Sequence, residues 1–363
     1  MNRLVIIGNG FDLFHGLRTS YTDFLIDLLI HGGNKIEDLK YGYKNPTLLA
    51  NNSSHETSVM TTQVRALFDK LGVNIFEYEL LCSSDYVNID SRIIKASIVD
   101  IKNKGWTDIE AVYYQQLVSC YKNSLSTHEV QHTIEDLNND LDNVKECLAI
   151  YLASLPKTYQ AKPSFGSLPF PEGYVTETTK SAIQVAKSSD IPKNSLKEII
   201  PTKTLVLNFN YTTPHFRYID RINIHGILTN PSSMIFGYGD ETDENYTKIE
   251  KSDINEYLRN FKSHCYIQSN NYKQLSDFVD ADEFLVMTVG HSCGRSDHVL
   301  LGEIFNHTNC TKIEINYHKF DTGKDDFNSI AFNIGRAMPN KIEYRRKLIP
   351  KEDCRTMEDI HNL

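Results

Sequence analysis

The chain has 363 residues, 40% of them hydrophobic and 23% charged, and its formal net charge is −9. This length and composition are typical of a globular protein with one large domain, or of one domain that carries a large insertion. The negative balance argues against a protein that coats nucleic acid, because such proteins need a positive surface to release counterions from phosphates.

The cysteines and the first residues bear on where the protein works. The chain has seven cysteines, an odd number, and none of them are spaced C-x-x-C. This pattern indicates reduced, mostly buried thiols rather than a disulfide framework or a zinc ribbon. Leu4–Ile7 is an apolar run of only four residues that leads into glycine, unlike a secretory signal. No stretch approaches the roughly 20 apolar residues that span a bilayer. We therefore expect a cytoplasmic protein with no membrane partner.

Strand, turn and helix follow one another within the first thirty residues. Leu4–Ile7 is rich in β-branched residues and is typical of a strand buried on both faces. Ser20 and Asp23 form a capping box ahead of a helix whose apolar residues recur at helical spacing. The turn between strand and helix contains Gly8, Gly10 and Gly16.

This glycine turn is the first candidate binding site. Glycines let the backbone approach a pyrophosphate closely, and the N–H groups of the following helix supply positive potential. The third glycine comes six residues after Gly10, so the dinucleotide pattern G-x-G-x-x-G is not met. The alternative interpretation is a tight strand-to-helix turn that binds no ligand.

The middle of the chain, from about residue 32 to 197, has a helical texture. Apolar residues recur every three or four positions in Ile75–Cys82, Ile109–Tyr121 and Ile134–Leu155, which predicts three helices. Pro163–Gly173 predicts a loop between helical blocks.

β character returns after residue 200. The predicted strands are Thr204–Phe209, Ile222–Ile224, Met234–Phe236, Phe284–Val289 and Ile313–Ile315. Between the last two, Ser296 or Asp297 is expected to cap a helix that contains Val299–Phe305. Strands that alternate with helices favour an α/β fold with a mainly parallel sheet and helices on both faces. We predict a discontinuous Rossmann-like nucleotide-binding domain from residues 1–30 and 200–345, a mainly helical insertion at 31–199, and a C-terminal tail at 346–363.

Polar side chains follow two of these strands. Asn210 ends the first apolar run after residue 200, and His225 ends the next. Ligands of parallel sheets bind outside the carboxyl ends of the strands, so both side chains are expected at the same crevice as the glycine turn. Asn can hold a ribose hydroxyl, and histidine titrates near neutral pH as a general base does. Taken singly, Asn210 also fits a turn former and His225 a structural loop histidine.

Two further motifs suggest other enzymes. The segment G-H-S-C-G at Gly290–Gly294 fits the nucleophile elbow of serine hydrolases. Only 71 residues follow Ser292, and His361 is the one histidine after Asp325 and Asp326, so the required order of acid and histidine leaves little room for a triad.

The second motif, H-E-V-Q-H at His128–His132, is the helical zinc-peptidase pattern. Ser126 and Glu129 form a capping box in the same place, which gives Glu129 a structural role at an exposed helix start. We therefore rank both the serine hydrolase and the zinc peptidase below a nucleotide-binding protein.

The opening residues L-V-I-I-G-N-G-F-D-L-F-H-G-L-R-T-S-Y-T-D-F resemble the start of the AbiH family of bacterial phage-defence (abortive infection) proteins. The resemblance continues through W-T-D-I-E at Trp106–Glu110, F-N-Y-T at Phe209–Thr212, His225-Gly226, and G-H-S-C-G-R-S-D at Gly290–Asp297. It covers the first 25 residues and much of 204–305. In the W-T-D-I-E segment we expect a helix start, with Trp106 in the core.

A more distant resemblance is to sirtuin-like NAD-consuming domains. Their G-A-G-x-S-x-x-x-G-I-P loop aligns on Gly8 through Arg18, and their Q-N-x-D motif on Phe209–Thr212. This resemblance implies that the three glycines hold the pyrophosphate, that Asn210 and His225 face the nicotinamide ribose, and that Ser292 and Asn316 contact the adenosine end. The residues implied to bind the dinucleotide are Gly8, Asn9, Gly10, Phe11, Asp12, Gly16, Thr212, Gly290, Ser292, Asp297 and Asn316.

The departures from that pattern matter for function. Asp12 stands where the loop has a serine, and an anion there opposes a phosphate unless it points away, as a helix cap does. Thr212 stands where an aspartate that contacts nicotinamide is expected, and the cysteines of the deacetylase zinc module are missing. The resemblance therefore implies cleavage of NAD to nicotinamide and ADP-ribose, with His225 and Asn210 as catalytic residues and no required cofactor. The alternative is a dinucleotide sensor without chemistry. A phage-derived trigger and a homo-oligomer are partners left open.

Overall fold

The computed structural model describes residues 1–31, 48–49, 88–89, 91–123, 127–156, 165, 168, 201–214, 216 and 219–361. The chain divides into two compact units. The first unit consists of Met1–Leu17, Lys157–Ile235 and Cys265–Leu363, and the second of Arg18–Pro156 and Phe236–His264.

The secondary structure is mixed α/β. The strands are β1 (Asn2–Ile7), β2 (Leu48–Leu49), β3 (Asn88–Ile89), β4 (Thr204–Asn208), β5 (Asp220–Asn223), β6 (Phe284–Val289) and β7 (Cys310–Asn316). The helices are α1 (Asn9–Phe14), α2 (Tyr21–His31), α3 (Arg92–Lys104), α4 (Ile109–Lys122), α5 (Thr127–Ser154), α6 (Glu244–Glu250), α7 (Lys262–Cys265), α8 (Asn271–Ala281), α9 (His298–Asn306), α10 (Phe327–Ala337), α11 (Lys341–Lys347) and α12 (Met357–His361).

A five-stranded sheet forms the centre of the first unit. Its strands follow the order β5-β4-β1-β6-β7, and every neighbouring pair is parallel. All six residues of β1 and all six of β6 are buried, as expected for strands covered on both faces. The predicted α/β class with a parallel sheet and surrounding helices is confirmed.

The register of the sheet aligns the carboxyl ends of its strands. Ile7 pairs with Asn208 on one side and with Val289 on the other. Asn208 in turn pairs with Asn223, and Val289 with Asn316. Because these five residues form one row across the sheet, the segments that follow the five strands all begin at the same edge.

The predicted strand Met234–Phe236 is wrong. These residues belong to no ladder, although the Ile235 N–H donates to the His225 carbonyl oxygen. Pro231–Ser233 immediately before them form a 3₁₀ turn. Met234 and Phe236 are nevertheless buried, so the apolar character of this segment reflects burial and not pairing in a sheet.

The second unit is mainly helical among its described residues. Asp108 caps α4 by accepting from the backbone N–H groups of Glu110 and Ala111, which confirms the helix start expected in W-T-D-I-E. Trp106 is 60% exposed, so its predicted place in the core is wrong. Apolar content alone favoured burial, but the residue lies in the turn before the cap, outside the buried face of α4. The predicted helix Ile75–Cys82 lies outside the described residues.

A buried ion pair links two elements of the second unit. Lys262 Nζ lies 3.0 Å from Glu110 Oε2, and both side chains are almost completely excluded from solvent. The second carboxylate oxygen of Glu110 accepts from the backbone N–H of Gly237 at 3.1 Å. Glu110 of W-T-D-I-E therefore has a structural role inside the second unit.

Candidate functional site at the carboxyl edge of the sheet

The segments after β1 and β6 pack directly against each other. Gly10 donates its N–H to the carbonyl oxygen of Gly290 at 2.7 Å. A Cβ on Gly10 would lie 2.8 Å from that oxygen, and one on Gly290, whose φ is +63°, would collide with the backbone of Phe11. A Cβ on Gly8 would lie 2.6 Å from His291 Cδ2. Gly8, Gly10 and Gly290 are thus required by this close contact, whatever ligand the turn binds.

Asp12 faces the interior of this edge. Its side chain is buried, with 1% of the residue exposed. Asp12 Oδ1 accepts from Asn210 Nδ2 at 3.1 Å, and Oδ2 accepts from Thr212 Oγ1 at 2.5 Å. The carboxylate therefore joins the glycine turn to the segment after β4. These two donors offset the cost of burying the charge.

The side-chain orientation of Asn210 follows from its partners. Its Nδ2 donates to Gly8 O at 3.0 Å as well as to Asp12. Both partners are acceptors, so the amide nitrogen must point toward them. The carbonyl oxygen Oδ1 is then the atom of this side chain that can accept from a ligand hydroxyl.

Asn208 is a positioning residue that the sequence interpretation missed. It is fully buried at the end of β4. Its Nδ2 donates to Thr212 O at 2.8 Å and to Asn223 Oδ1 at 2.9 Å, and its Oδ1 accepts from the Asn210 N–H. Asn208 thereby holds the segment 209–212 in a tight turn and links β4 to β5. The F-N-Y-T motif begins one residue after it, and the polar residue at the end of an apolar strand was the available signal.

His225 lies two residues beyond β5 and is 4% exposed. Its Nε2 is 3.1 Å from the Tyr266 hydroxyl and 3.4 Å from Asp297 Oδ1. Phe209 packs edge-on against the ring, with centroids 5.1 Å apart. Burial and these contacts hold the imidazole in one orientation at the same edge as Asn210.

His291 is the second site residue that the sequence interpretation left out. Its Nε2 lies 3.6 Å from Asp297 Oδ2, and its ring packs against Phe209 with centroids 4.4 Å apart. His291 also contacts Gly8 across the turn, as the position of a Cβ there shows. It therefore connects the glycine turn to Asp297. The available signal was its place directly after β6, where it was interpreted as part of a serine motif.

Asp297 occupies the N-cap position of α9 but its side chain makes no capping hydrogen bond. Ser296, the other predicted cap, is buried within the 3₁₀ turn Arg295–Asp297. The predicted helix is present and its predicted side-chain cap is wrong. The Asp297 carboxylate instead lies between His225 and His291, with which it is in ion-pair range.

The two residues assigned to the adenosine end differ in environment. Ser292 is exposed, and its carbonyl oxygen accepts from Asn333 Nδ2 at 2.8 Å. Asn316 is fully buried and donates to Glu314 Oε1 at 3.0 Å and to Arg355 O at 3.2 Å. Contact between Asn316 and a ligand therefore requires a rearrangement of residues 314–355.

The serine-hydrolase motif does not adopt an elbow centred on its serine. The left-handed backbone conformation belongs to Cys293, with φ +53°, and not to Ser292. The Cys293 thiol is fully buried, and burial with the nearby Asp297 charge raises its pKa far above the usual range. Neither Ser292 nor Cys293 therefore has the surroundings of an activated nucleophile.

The structure describes only part of the zinc motif, because the side chains of His128 and Glu129 lie outside the described residues. His132 lies on the exposed side of α5 and pairs only loosely with Asp136, at 4.0 Å. Ser126, half of the capping box predicted there, lies outside the described residues. Across the described ranges, no group of three or more His, Cys, Asp or Glu side chains is arranged to hold a metal ion.

The cysteines and the lengths of the helices bear on the expectations for thiols and membrane segments. Four of the six described cysteines are buried, in line with the expectation of mostly buried thiols. Within the ranges that the structure covers, every helix is too short or too polar to span a bilayer.

Comparison with known proteins matches the chain to a protein family. The family model described as bacteriophage abortive infection AbiH matches residues 4–318 of the chain, a range that contains every residue of the site above. Neither a curated protein nor a solved structure matches the chain significantly.

Proposed function

Because the chain belongs to the AbiH family of bacteriophage abortive infection proteins, we propose that it is an anti-phage effector that hydrolyses NAD to nicotinamide and ADP-ribose. The family supports the role in phage abortive infection. The reaction is inferred from the carboxyl edge of the sheet.

The observation that carries the proposal is the meeting of three segments at this edge. Asn210, after β4, bonds the glycine turn after β1, and His225 follows the neighbouring strand β5. The chain adds β4 and β5 on one side of β1, then returns to place β6 on its other side. Such a reversal of strand order is where open α/β sheets bind ligands, at the carboxyl ends of the strands.

The charges of the site favour the ribose of NAD next to Asn210. Asp12 places a carboxylate beside the Asn210 amide, at 3.1 Å. A carboxylate repels a phosphate but attracts the positively charged nicotinamide ring and the cationic sugar that forms as the ring leaves. The nicotinamide ribose is therefore assigned to Asp12 and Asn210, and the pyrophosphate to the outer part of the glycine turn, where Asn9 is exposed.

The proposed reaction needs little acid assistance. The bond between the anomeric carbon and the nicotinamide nitrogen breaks, and its electron pair neutralises the ring. Water forms the new bond to that carbon and gives its proton to His225. Asn210 Oδ1 accepts a hydrogen bond from a ribose hydroxyl and orients the sugar. Orientation and one general base are the contributions that the protein makes here.

The test is incubation of the purified full chain with NAD and quantification of released nicotinamide, with and without a lysate of phage-infected cells. We expect His225→Ala and Asn210→Ala to lower kcat about 100-fold or more, the usual effect of losing a general base or a positioned hydrogen bond. His132→Ala, on the exposed face of α5, is the matched histidine control. If NAD stays intact in every sample, the proposed enzymatic activity is contradicted. If all variants turn NAD over equally, the catalytic roles of His225 and Asn210 are contradicted.

A binding function without chemistry is the second candidate. The observation in its favour is that Asp12 and Thr212, the two departures from the sirtuin-like pattern, bond each other, with Thr212 Oγ1 donating to Asp12 Oδ2 at 2.5 Å. Calorimetric binding of NAD with no release of nicotinamide, even after phage infection, would establish this sensor instead.

A further inference from the structure

The His225–Asp297–His291 cluster contains one carboxylate and two imidazoles, and the proposed reaction gives His291 no role. The side chains of both histidines are 5% exposed and that of Asp297 is 12% exposed. Each oxygen of the carboxylate faces a different ring, Oδ1 toward His225 and Oδ2 toward His291. Two imidazoles that share one buried carboxylate cannot both be protonated without leaving a net positive charge in the interior.

A hydrogen bond from the backbone keeps one of the two imidazoles neutral. The Cys293 N–H donates to His291 Nδ1 at 2.9 Å, within a buried turn. An imidazole nitrogen that accepts a hydrogen bond cannot carry a proton, so neutral His291 has its proton on Nε2. Protonating Nδ1 would set two N–H groups against each other and leave a buried backbone donor without its acceptor. His291 is thereby fixed as a neutral ring with its N–H side at Asp297.

His225 has no such constraint on the nitrogen that faces Asp297. Its Nε2 lies between the Asp297 carboxylate and the Tyr266 hydroxyl, and a hydroxyl can either donate to that nitrogen or accept from it. At this nitrogen the contacts therefore suit both a neutral and a protonated ring. Of the two histidines, His225 is the one built to gain and lose a proton.

We propose that His291 is a positioning residue for His225 that acts through Asp297. It is a permanently neutral donor that holds the carboxylate between the two rings and limits how strongly that carboxylate attracts a proton to His225. The inference rests on the proposed function in one respect, the choice of His225 as the base that accepts the proton of water. The arrangement keeps that base near neutral pH, where a general base works best.

Tyrosines and a thiol also contact the cluster. Tyr266 comes from the 3₁₀ turn Tyr266–Gln268, and Tyr211, with its ring centroid 6.3 Å from that of His225, from the segment after β4. Cys293 lies behind His291, and its thiol is kept protonated by burial. Neither a tyrosine nor this thiol changes charge near neutral pH, so Asp297 sets the field at His225.

The first experiment needs no variant. Imidazole ¹⁵N chemical shifts of the full chain, followed by NMR from about pH 5.5 to 8.5, report the protonation of each ring nitrogen. We expect His291 to keep Nδ1 unprotonated and Nε2 protonated throughout, while His225 titrates. A His291 that becomes doubly protonated in this range overturns the proposal.

The second experiment uses a matched pair of substitutions. His291→Asn keeps an acceptor for the Cys293 N–H and loses the donor toward Asp297, whereas His291→Gln keeps a donor at the position of Nε2. We expect His291→Asn to raise the titration midpoint of His225 by about half a pH unit, because Asp297 then acts on His225 alone. His291→Gln should leave the midpoint close to that of the wild type. An unchanged or lowered midpoint in His291→Asn, or equal shifts in both variants, contradicts the proposal.

A third substitution tests the route through the carboxylate. In an Asp297→Asn background, His291→Asn should no longer shift His225, and a shift of the same size there contradicts an action through Asp297. These midpoints are measured without NAD. Failure to hydrolyse NAD therefore refutes the proposed function alone, and a flat response of His225 refutes the role of His291 alone.

Discussion

The contact between the segments after β1 and β6 can be tested with a single methyl group. Gly290 has φ +63°, and a Cβ there would collide with the backbone of Phe11 and Gly10. Gly290→Ala must adopt a left-handed backbone, at about 1–2 kcal/mol, and must also push the two segments apart. Separation breaks the hydrogen bond from the Gly10 N–H to the Gly290 oxygen, at about 0.5–1.5 kcal/mol, and overpacks the turn, at about 1–3 kcal/mol. The expected loss of unfolding free energy is therefore about 3–6 kcal/mol.

Gly16 provides the matched control for this substitution. Its φ is +79°, and a Cβ there would meet nothing within 4 Å. Gly16→Ala should therefore cost only the backbone term, about 1–2 kcal/mol. Urea denaturation followed by circular dichroism gives both unfolding free energies. If Gly290→Ala is destabilised no more than Gly16→Ala, the close packing of the two segments does not stabilise the fold as we argue.

Three more predictions concern buried ionisable groups. Lys262→Met should lower the unfolding free energy by about 3–5 kcal/mol in urea denaturation, because Glu110 then stays buried as an unpaired charge. Lys273→Met, which removes an exposed helical ion pair, should change the unfolding free energy little. Burial lowers the pKa of His15 below that of the unfolded chain. As pH falls below about 6.5, His15 is protonated in the unfolded state before it is protonated in the folded state, so the unfolding free energy declines. Thermal melting over this pH range should show a smaller decline in a His15→Gln variant. A decline as steep as that of the wild type contradicts this role of His15. The Cys293 thiol, whose pKa is raised by burial, should resist alkylation by iodoacetamide at about pH 8 until the protein is unfolded in urea. Rapid labelling of Cys293 in the folded protein, detected by mass spectrometry, would show that the turn around Cys293 opens.

The strong local patterns were predicted well from the sequence. Leu4–Ile7 is a continuous apolar run, Phe284–Val289 is interrupted only by Thr288, and both lie in fully buried parallel strands. The capping box of Ser20 and Asp23 forms as expected, with the Asp23 N–H donating to Ser20 Oγ at 3.0 Å. Such signals are readable because a buried strand or a helix start is specified by residues close together in the chain.

Weak local patterns gave wrong predictions of structure. The three residues Met234–Phe236 carry enough apolar character for a strand, and Trp106 enough for the core, yet neither prediction holds. Burial of a short segment depends on what the rest of the chain places against it, and composition does not contain that information.

The sequence by itself determined the α/β class, the glycines after the first strand, and the placement of Asn210 and His225 at strand ends, because these follow from periodicity and from residues adjacent in the chain. The segment predicted as a turn after that strand instead contains the short helix α1, with Gly10 inside it. Only the tertiary structure decided that Asp12 joins Asn210 and Thr212, nearly 200 positions away, and that Asp297 lies between His225 and His291. The physical reason is that a helix cap and a buried carboxylate look alike in sequence. The strand order of the sheet, which brings the ends of β1, β4, β5 and β6 to one edge, selects between them.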